Sequence, residues 1–204
     1  MKTLNQHIKE SLQIYNESIL DDEEDLIRSA HEEIVRDFIS ENYYIYGKIT
    51  MNKVKDKYIV DCDSSVGVSN KKIETITDNL FEWGAIEGDF NCFDCTSLKS
   101  LNGAPKKVSG DFDCEDCKSL TSLEGSPKTV GGSFYCRYCN SLTSLKGAPE
   151  KVGEYFDCFN CKSLTSLKGS PKEVGWDFEC GGCKTQFTKE DVEKISKVKG
   201  NIFV

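Results

Sequence analysis

The segment GDFDCEDCKSLTSLEGSPKTVG, residues 110–131, recurs along the chain at a constant period. Its two cysteines belong to evenly spaced columns at Cys92, Cys114, Cys136, Cys158 and Cys180, and at Cys95, Cys117, Cys139, Cys161 and Cys183. Phenylalanine, leucine, glycine, proline and valine keep the same period. A unit this short cannot bury its own apolar side chains, so the repeat predicts a solenoid of stacked coils.

Each copy also predicts the path of one coil. Phe112 and Cys114 alternate with Asp113 as in a strand that has one buried side. The Gly125-x-Pro127 bend ends regular structure, because glycine adopts unusual dihedral angles and proline donates no ladder hydrogen bond. The predicted coil therefore runs from a strand through a turn at the second cysteine, an apolar LxxL, the Gly/Pro bend and a valine.

The segments outside the repeats predict end caps. Residues 1–41 show helical apolar spacing twice, and 42–87 combine a hairpin (43–51 with 58–62) with a helical or irregular coil over 70–83. The repeats occupy 88–183, as units 88–109, 110–131, 132–153, 154–175 and a partial unit 176–183. Residues 184–204 predict a helix capped by Thr188 and Asp191, followed by a last strand with Val204 in the first cysteine column.

Composition narrows the classes of function. The 204 residues carry a net charge of −8, which disfavours duplex nucleic acid as a partner. No apolar run is long enough for a membrane span, and the segment 1–20 lacks the apolar run of a secretory signal. We therefore expect a cytoplasmic protein with no membrane or nucleic-acid partner, in which structural disulfides are uncommon.

The paired cysteines have three interpretations. The spacing C-x2-C-x18-C-x2-C fits a four-thiolate zinc site. CxxC is also a redox motif, although here no helix follows it to lower a thiol pKa. The favoured interpretation is a buried ladder, because the cysteines share their period with residues that have no metal chemistry, and five pairs do not divide into four-cysteine sites.

The FxCxxCxSLxSL string resembles the leucine-rich repeat in its cysteine-type, short bacterial form. Phe112 and Cys114 match the inward strand positions, Cys117 the turn position and Leu120 the next leucine. The resemblance implies a short-stranded, curved parallel sheet with an irregular convex side and a concave face that binds proteins. Val108 departs from the pattern, because it falls one residue early for the usual first leucine.

The N-terminus carries a second resemblance. MKTLNQHIKES is similar to the capsid-targeting segment of internal proteins of T-even-like phages, in which a protease cuts after a hydrophobic-x-Glu motif, here Ile8-Lys9-Glu10. This implies a phage-encoded protein in the host cytoplasm or, after packaging, in the virion as a chain that starts at Ser11.

Outward strand and turn positions vary between the copies and are the candidate binding residues, because the repeat does not dictate them. They form an acidic surface around an aromatic centre. The candidates are Asp89, Phe93, Asp111, Asp113, Glu115, Asp116, Tyr135, Arg137, Tyr138, Tyr155, Asp157, Phe159, Asp177 and Glu179. Lysines dominate the opposite side of the coil, where we expect an ordinary solvated surface.

The sequence contains no Gly-rich phosphate loop, HExxH or GxSxG, so no catalytic residue, metal ligand or cofactor is assigned. It therefore predicts a non-enzymatic solenoid that binds a protein partner, of basic character, through this acidic and aromatic surface. The alternatives are a packaged virion protein and a zinc-binding CxxC module.

Overall fold

The computed structural model describes residues 23–55, 57–68, 72–77 and 81–204. The helices are α1 (Glu23–Asn42) and α2 (Lys189–Glu193). The strands are β1 (Tyr43–Ile45), β2 (Ile49–Val54), β3 (Lys57–Cys62), β4 (Val66–Val68), β5 (Phe81–Ile86), β6 (Phe90–Asn91), β7 (Lys107–Val108), β8 (Phe112–Asp113), β9 (Thr129–Val130), β10 (Phe134–Tyr135), β11 (Lys151–Val152), β12 (Phe156–Asp157), β13 (Glu173–Val174), β14 (Phe178–Glu179), β15 (Lys197–Val198) and β16 (Ile202–Phe203). Neither helix is long and apolar enough to cross a membrane.

The strands form two sheets that share one interior. We call them the cysteine sheet (β1-β4-β6-β8-β10-β12-β14-β16) and the valine sheet (β15-β13-β11-β9-β7-β5-β3-β2). Each repeat contributes one short strand to each sheet, and these strands pair in parallel with the equivalent strands of the neighbouring repeats, as Phe134 does with Phe112 and Phe156. The predicted repeat solenoid is confirmed.

The valine sheet is the feature that the sequence analysis did not predict. Val108, Val130, Val152 and Val174 are buried and pair in register, while the residue before each one points outward. This alternation makes a separate strand of the segment at which the leucine-rich-repeat resemblance places the first leucine, at the entry to the strand that carries Phe112 and Cys114. The early position of Val108 is therefore explained by a second ladder.

Phenylalanine rings stack along the interior behind the cysteine sheet. The ring centroids of Phe112 and Phe134 lie 5.1 Å apart, and those of Phe134 and Phe156 lie 5.7 Å apart with nearly parallel planes. Both cysteine columns and both leucine columns lie beside them, with all but Cys183 buried. Stacking therefore removes from water the apolar residues of each coil, which a single coil would expose.

Two kinds of turn depend on backbone geometry. The residue before each second cysteine is left-handed, with φ between 56° and 68° at Asp94, Asp116, Tyr138, Asn160 and Gly182. Tyr138 is the unusual member, because this conformation favours Gly, Asn and Asp. After β11, a Cβ on Gly153 would lie 1.8 Å from the Gly131 carbonyl oxygen, so this corner requires glycine.

The N-terminal side of the stack is closed by α1 and by antiparallel strands. In α1, Val35 and Ile39 are buried, and Phe38 contacts the Phe81 ring edge-on. β2 pairs with β3, which confirms the predicted hairpin for Ile49–Met51, whereas Tyr43–Ile45 forms β1 and pairs with β4 instead. The irregular coil expected over 70–83 is wrong for Phe81–Trp83, which begins β5, because its side chains alternate into the core. The first predicted helix lies outside the described residues.

The C-terminal cap agrees with its predicted form. Thr188 caps α2, and its hydroxyl and the Asp191 side chain form the reciprocal capping box. β16 then extends the cysteine sheet with Ile202 opposite Phe178. Val204 follows in the register of Cys180.

Candidate functional site: the acidic face

The outer side of the cysteine sheet and its turns is called the acidic face. It comprises four equivalent positions of each coil: 89, 91, 93 and 94, 111, 113, 115 and 116, 133, 135, 137 and 138, 155, 157, 159 and 160, and 177, 179, 181 and 182. Ser133 and Gly181, which were expected to face outward, are buried. Nine of the residues at these positions are Asp or Glu, and one is Arg. All predicted binding residues therefore lie on one continuous surface, since the strands that carry them are neighbours in one sheet.

The central column of the acidic face follows the strand register. From the N-terminal to the C-terminal end it runs Tyr44, Gly67, Asn91, Asp113, Tyr135, Asp157, Glu179 and Phe203. Neighbouring strands lie about 4.8 Å apart, so side chains next to each other in this column interact directly.

Some of the carboxylates have structural roles. Asp111 accepts a hydrogen bond from the backbone N–H of Ser133 at 2.6 Å, Asp89 from that of Asp111 and Asp177 from that of Asn201. Each bond joins one coil to the next. These three acids thus stabilise the stack, and the sequence analysis did not predict this role.

The carboxylates of the central column fold the turn that follows. Asp113 accepts the backbone N–H of Glu115 at 2.8 Å, and Asp157 accepts that of Phe159 at 2.9 Å. Glu179 accepts the N–H of Gly181 in the same way. The second oxygen of Asp113 accepts a hydrogen bond from the Asn91 side-chain amide at 3.3 Å, and that of Asp157 lies 3.5 Å from Arg137 Nε.

Charge is not balanced across the acidic face. Asp157 and Glu179 are direct register neighbours, an arrangement that destabilises a sheet. Burial raises the pKa of Asp157, and Glu179 adds to this effect, although the Phe159 N–H and Arg137 oppose it. Burial also raises the pKa of Glu115, as do Asp113, Asp157 and Asp116, although Arg137 opposes them. The face therefore favours added positive charge.

Arg137 occupies the centre of this charge distribution. Its guanidinium carbon lies 5.5 Å from the Tyr138 ring centroid and 5.6 Å from that of Phe159. Its Nε lies 3.5 Å from Asp157 Oδ2. The Tyr138 and Phe159 rings themselves meet edge-on. The acidic face thus binds one guanidinium by aromatic contact and by carboxylate attraction together.

A second aromatic pair lies at the other end of the strands, since Tyr155 precedes β12 and Phe159 follows it. Tyr155 and Trp176 meet edge-on with centroids 5.2 Å apart, and Trp176 is 50% exposed. The sequence analysis missed Trp176. The available signal was that the equivalent positions in the other coils, Gly110, Gly132 and Glu154, are not aromatic. The sequence analysis also missed Tyr44, for which the alternation of the YYIY segment was the available signal. Tyr44 is 61% exposed and lies at the N-terminal end of the central column of the acidic face.

The outer side of the valine sheet has a different arrangement of charge. Lys172 pairs with Glu150 at 2.7 Å, and Lys151 pairs with Glu173 at 3.2 Å, each across neighbouring coils. Such pairing lowers the pKa of Glu150 through the hydrogen bond and charge of Lys172. The predicted lysine-rich surface is therefore neutralised locally by glutamates.

The cysteines are buried thiols that hydrogen-bond to the backbone. Cys139 Sγ donates to the Cys114 carbonyl oxygen at 3.2 Å, and Cys114 Sγ donates to that of Tyr135 at 3.3 Å. Burial raises the pKa of Cys114 and that of Cys136. Within the described ranges, no three His, Cys, Asp or Glu side chains are grouped so as to hold a metal ion.

Comparison of the chain with protein-family models, curated proteins and solved structures finds no match. The resemblances to leucine-rich repeats and to phage proteins stay predictions, and the Ile8-Lys9-Glu10 motif lies outside the described residues. The function of the protein is therefore inferred from its own residues.

Proposed function

We propose that the protein is a non-enzymatic binding module whose acidic face docks a basic segment of a protein partner. The observation that carries this proposal is the setting of Arg137. One guanidinium is already held there against two aromatic rings and a carboxylate. Lysine and arginine side chains of a partner would meet the same chemistry at the neighbouring positions.

Electrostatics supports a cationic partner. Asp157 and Glu179 are like-charged neighbours, and Asp113, Asp157 and Asp116 add to the effect of burial in raising the pKa of Glu115, so the free face carries repulsion. A bound cation relieves this repulsion and needs no rearrangement of the strands. An extended field of one sign also steers an oppositely charged partner toward the surface and speeds association.

Aromatic side chains supply the second part of the proposed contact. The partly exposed rings of Tyr155 and Trp176 are held edge-on on a rigid stack, so little conformational entropy is lost when they are covered. Tyrosine, tryptophan and arginine are the residue types enriched at the energetic centre of protein interfaces. The acids then form the charged rim.

Charge reversal tests the electrostatic part. The double variant Asp113→Lys, Glu115→Lys is compared with Glu150→Lys, Glu173→Lys, which makes the same change in net charge on the outer side of the valine sheet. Each protein is immobilised, exposed to lysate of the source cells and analysed by quantitative mass spectrometry. We expect basic proteins retained by the wild type and by the control to be lost from the acidic-face variant. Equal retention by both variants would exclude the face.

Removal of the rings tests the aromatic part. Tyr155→Ala, Trp176→Ala is expected to weaken binding of the captured partner about tenfold or more, because interface aromatics of this kind contribute roughly 2 kcal/mol. Ile195→Ala is the control, since it removes an exposed apolar side chain elsewhere. Titration calorimetry measures the affinities, and thermal unfolding checks that each variant is folded. An unchanged affinity in the double variant would contradict the proposal.

A further inference from the structure

Cysteines of neighbouring coils form a repeated cross-coil pair. The second cysteine of one coil donates its thiol to the backbone carbonyl of the first cysteine in the coil before it. The sulfur-to-oxygen distances are 3.2 Å for Cys117 to Cys92, 3.2 Å for Cys139 to Cys114, 3.1 Å for Cys161 to Cys136 and 3.3 Å for Cys183 to Cys158. The second cysteine of a coil therefore contacts the first cysteine of the preceding coil in the same way four times along the stack.

Only the last pair reaches solvent. Among the cysteines, all of which lie in the described part of the chain, Cys183 is the one that is not fully buried. Its column ends there, since residues 184–188 lead to α2 instead of forming another CxxC turn. Cys158, its neighbour, is fully buried. An oxidant can therefore reach the fourth pair at Cys183 alone.

The surroundings of Cys183 favour its thiolate. Contact with the Cys158 side chain lowers the pKa of Cys183, and the Cys161 backbone and Lys162 add to the effect, while partial burial opposes it. The Lys162 ammonium is fixed nearby by donating to the Gly182 carbonyl oxygen at 3.1 Å. Burial instead raises the pKa of Cys161, the equivalent residue one coil earlier. The thiolate is the form of cysteine that reacts.

We propose that Cys183 and Cys158 are a peroxide-reactive thiol pair that closes to a disulfide between the last two CxxC coils. The Cys183 thiolate attacks one oxygen of hydrogen peroxide, the O–O bond breaks, and the departing hydroxide is protonated to water, which leaves a sulfenic acid on Cys183. Cys158 sulfur then attacks Cys183 sulfur, the S–O bond breaks, and the hydroxyl leaves as water with the Cys158 proton. Two thiols lose two electrons, and one peroxide becomes two waters.

This inference does not depend on partner binding by the acidic face. The disulfide would cross-link residues 158 and 183 and thus tie the C-terminal end of the stack covalently. Because a cross-link restricts the unfolded chain, we expect the oxidised protein to unfold at a higher denaturant concentration than the reduced protein.

The test treats the folded protein with hydrogen peroxide at a small molar excess. Intact mass is expected to fall by about 2 Da, and non-reducing peptide mapping is expected to join the peptides of Cys158 and Cys183. No mass loss, or a bond from Cys183 to Cys180 or Cys161, would overturn the pairing. The urea-unfolded chain serves as the reference, because in it the fold no longer selects among the cysteines.

Serine variants add a matched control. Cys183→Ser should abolish the mass loss, whereas Cys161→Ser, the same position one coil earlier, should leave it intact. Cys158→Ser should stop the reaction at the sulfenic acid, which dimedone traps on Cys183. Dimedone mapping of the briefly oxidised wild type needs no variant and must also find Cys183 labelled first. Labelling spread evenly over the cysteines would contradict the proposal.

Discussion

The two outer surfaces of the solenoid share one repeat and one stack, yet they handle charge in opposite ways. On the valine sheet, Lys151 and Lys172 pair with glutamates of neighbouring coils. On the acidic face, Asp157 lies beside Glu179, and Arg137 is the one basic residue among the positions that define the face, with Lys118 pairing with Asp116 from outside them. A stable stack does not require unbalanced charge, as the valine sheet demonstrates. The imbalance on the acidic face is therefore the part of the molecule that calls for a function.

The largest expected loss of stability comes from substitutions in the interior that lies between the two sheets. Phe134→Ala removes a fully buried ring between Phe112 and Phe156 and should lower the free energy of unfolding by about 3–5 kcal/mol. Val130→Ala, on the valine-sheet side, should cost about 2 kcal/mol, because fewer buried carbons are lost. Chemical denaturation measures both, and equal losses would mean that the phenylalanine stack does not dominate.

The corners of the two sheets should differ in their tolerance of a methyl group. Gly153→Ala places a Cβ against the Gly131 backbone oxygen, so we expect a loss of about 1–3 kcal/mol. In Gly181→Ala, after a cysteine-sheet strand, the added Cβ would lie 2.9 Å from the flexible end of Glu179 and 3.5 Å from Phe159 and Val204, which is ordinary contact, so the change should be nearly neutral. Thermal unfolding compares them. A neutral Gly153→Ala would show that the coils can separate locally.

Removal of Arg137 should increase the difference in charge balance between the acidic face and the outer side of the valine sheet. Arg137→Met loses the contacts with the Tyr138 and Phe159 rings and leaves Asp157 without this partner, so stability should fall by about 1 kcal/mol. Arg137→Lys keeps the charge but not the planar group, and should fall between the methionine variant and the wild type. The midpoint of chemical denaturation is measured for each variant. Equal midpoints for the lysine and methionine variants would mean that the charge of Arg137 contributes nothing to stability.

The smallest expected effect is a difference in the sign of the pH dependence. Because the pKa of Glu115 is raised, its charged form is less favourable in the folded chain, so stability falls as pH rises from the ordinary glutamate pKa through the raised one. Glu115→Gln should therefore stabilise the protein at neutral pH, by at most about 0.5 kcal/mol, and not below that window.

Glu150 provides the matched control for this pH dependence. Its lowered pKa gives a contribution to stability that is present above the ordinary glutamate pKa and is lost as pH falls. Glu150→Gln should therefore lose stability at neutral pH, where Glu115→Gln gains it. Thermal unfolding between pH 4 and 8 measures both variants. If the melting temperature at neutral pH changed in the same direction in both variants, the proposed electrostatic difference between the two surfaces would be contradicted.

The sequence predicted those features that the period itself encodes. Phe112, Cys114 and Leu120 are buried as expected, and Thr188 caps a helix, because each signal is local or repeats. The valine sheet was not predicted, since so short a strand in each coil is too little for a periodic strand signal. Trp176 was missed because it occurs once, at a position that the repeat does not mark as outward.

By itself the sequence determined that the chain stacks, where each coil turns and which side chains face inward, because so short a period leaves apolar residues no other way to be buried. Only the tertiary structure decided which charges meet. Lys172 forms an ion pair with Glu150, and Asp157 lies next to Glu179, although the two residues of each pair are one full repeat apart in sequence. Such contacts depend on the register between coils and on side-chain direction. The same contacts give Asp111 a structural role and leave Cys183 accessible at the end of its column.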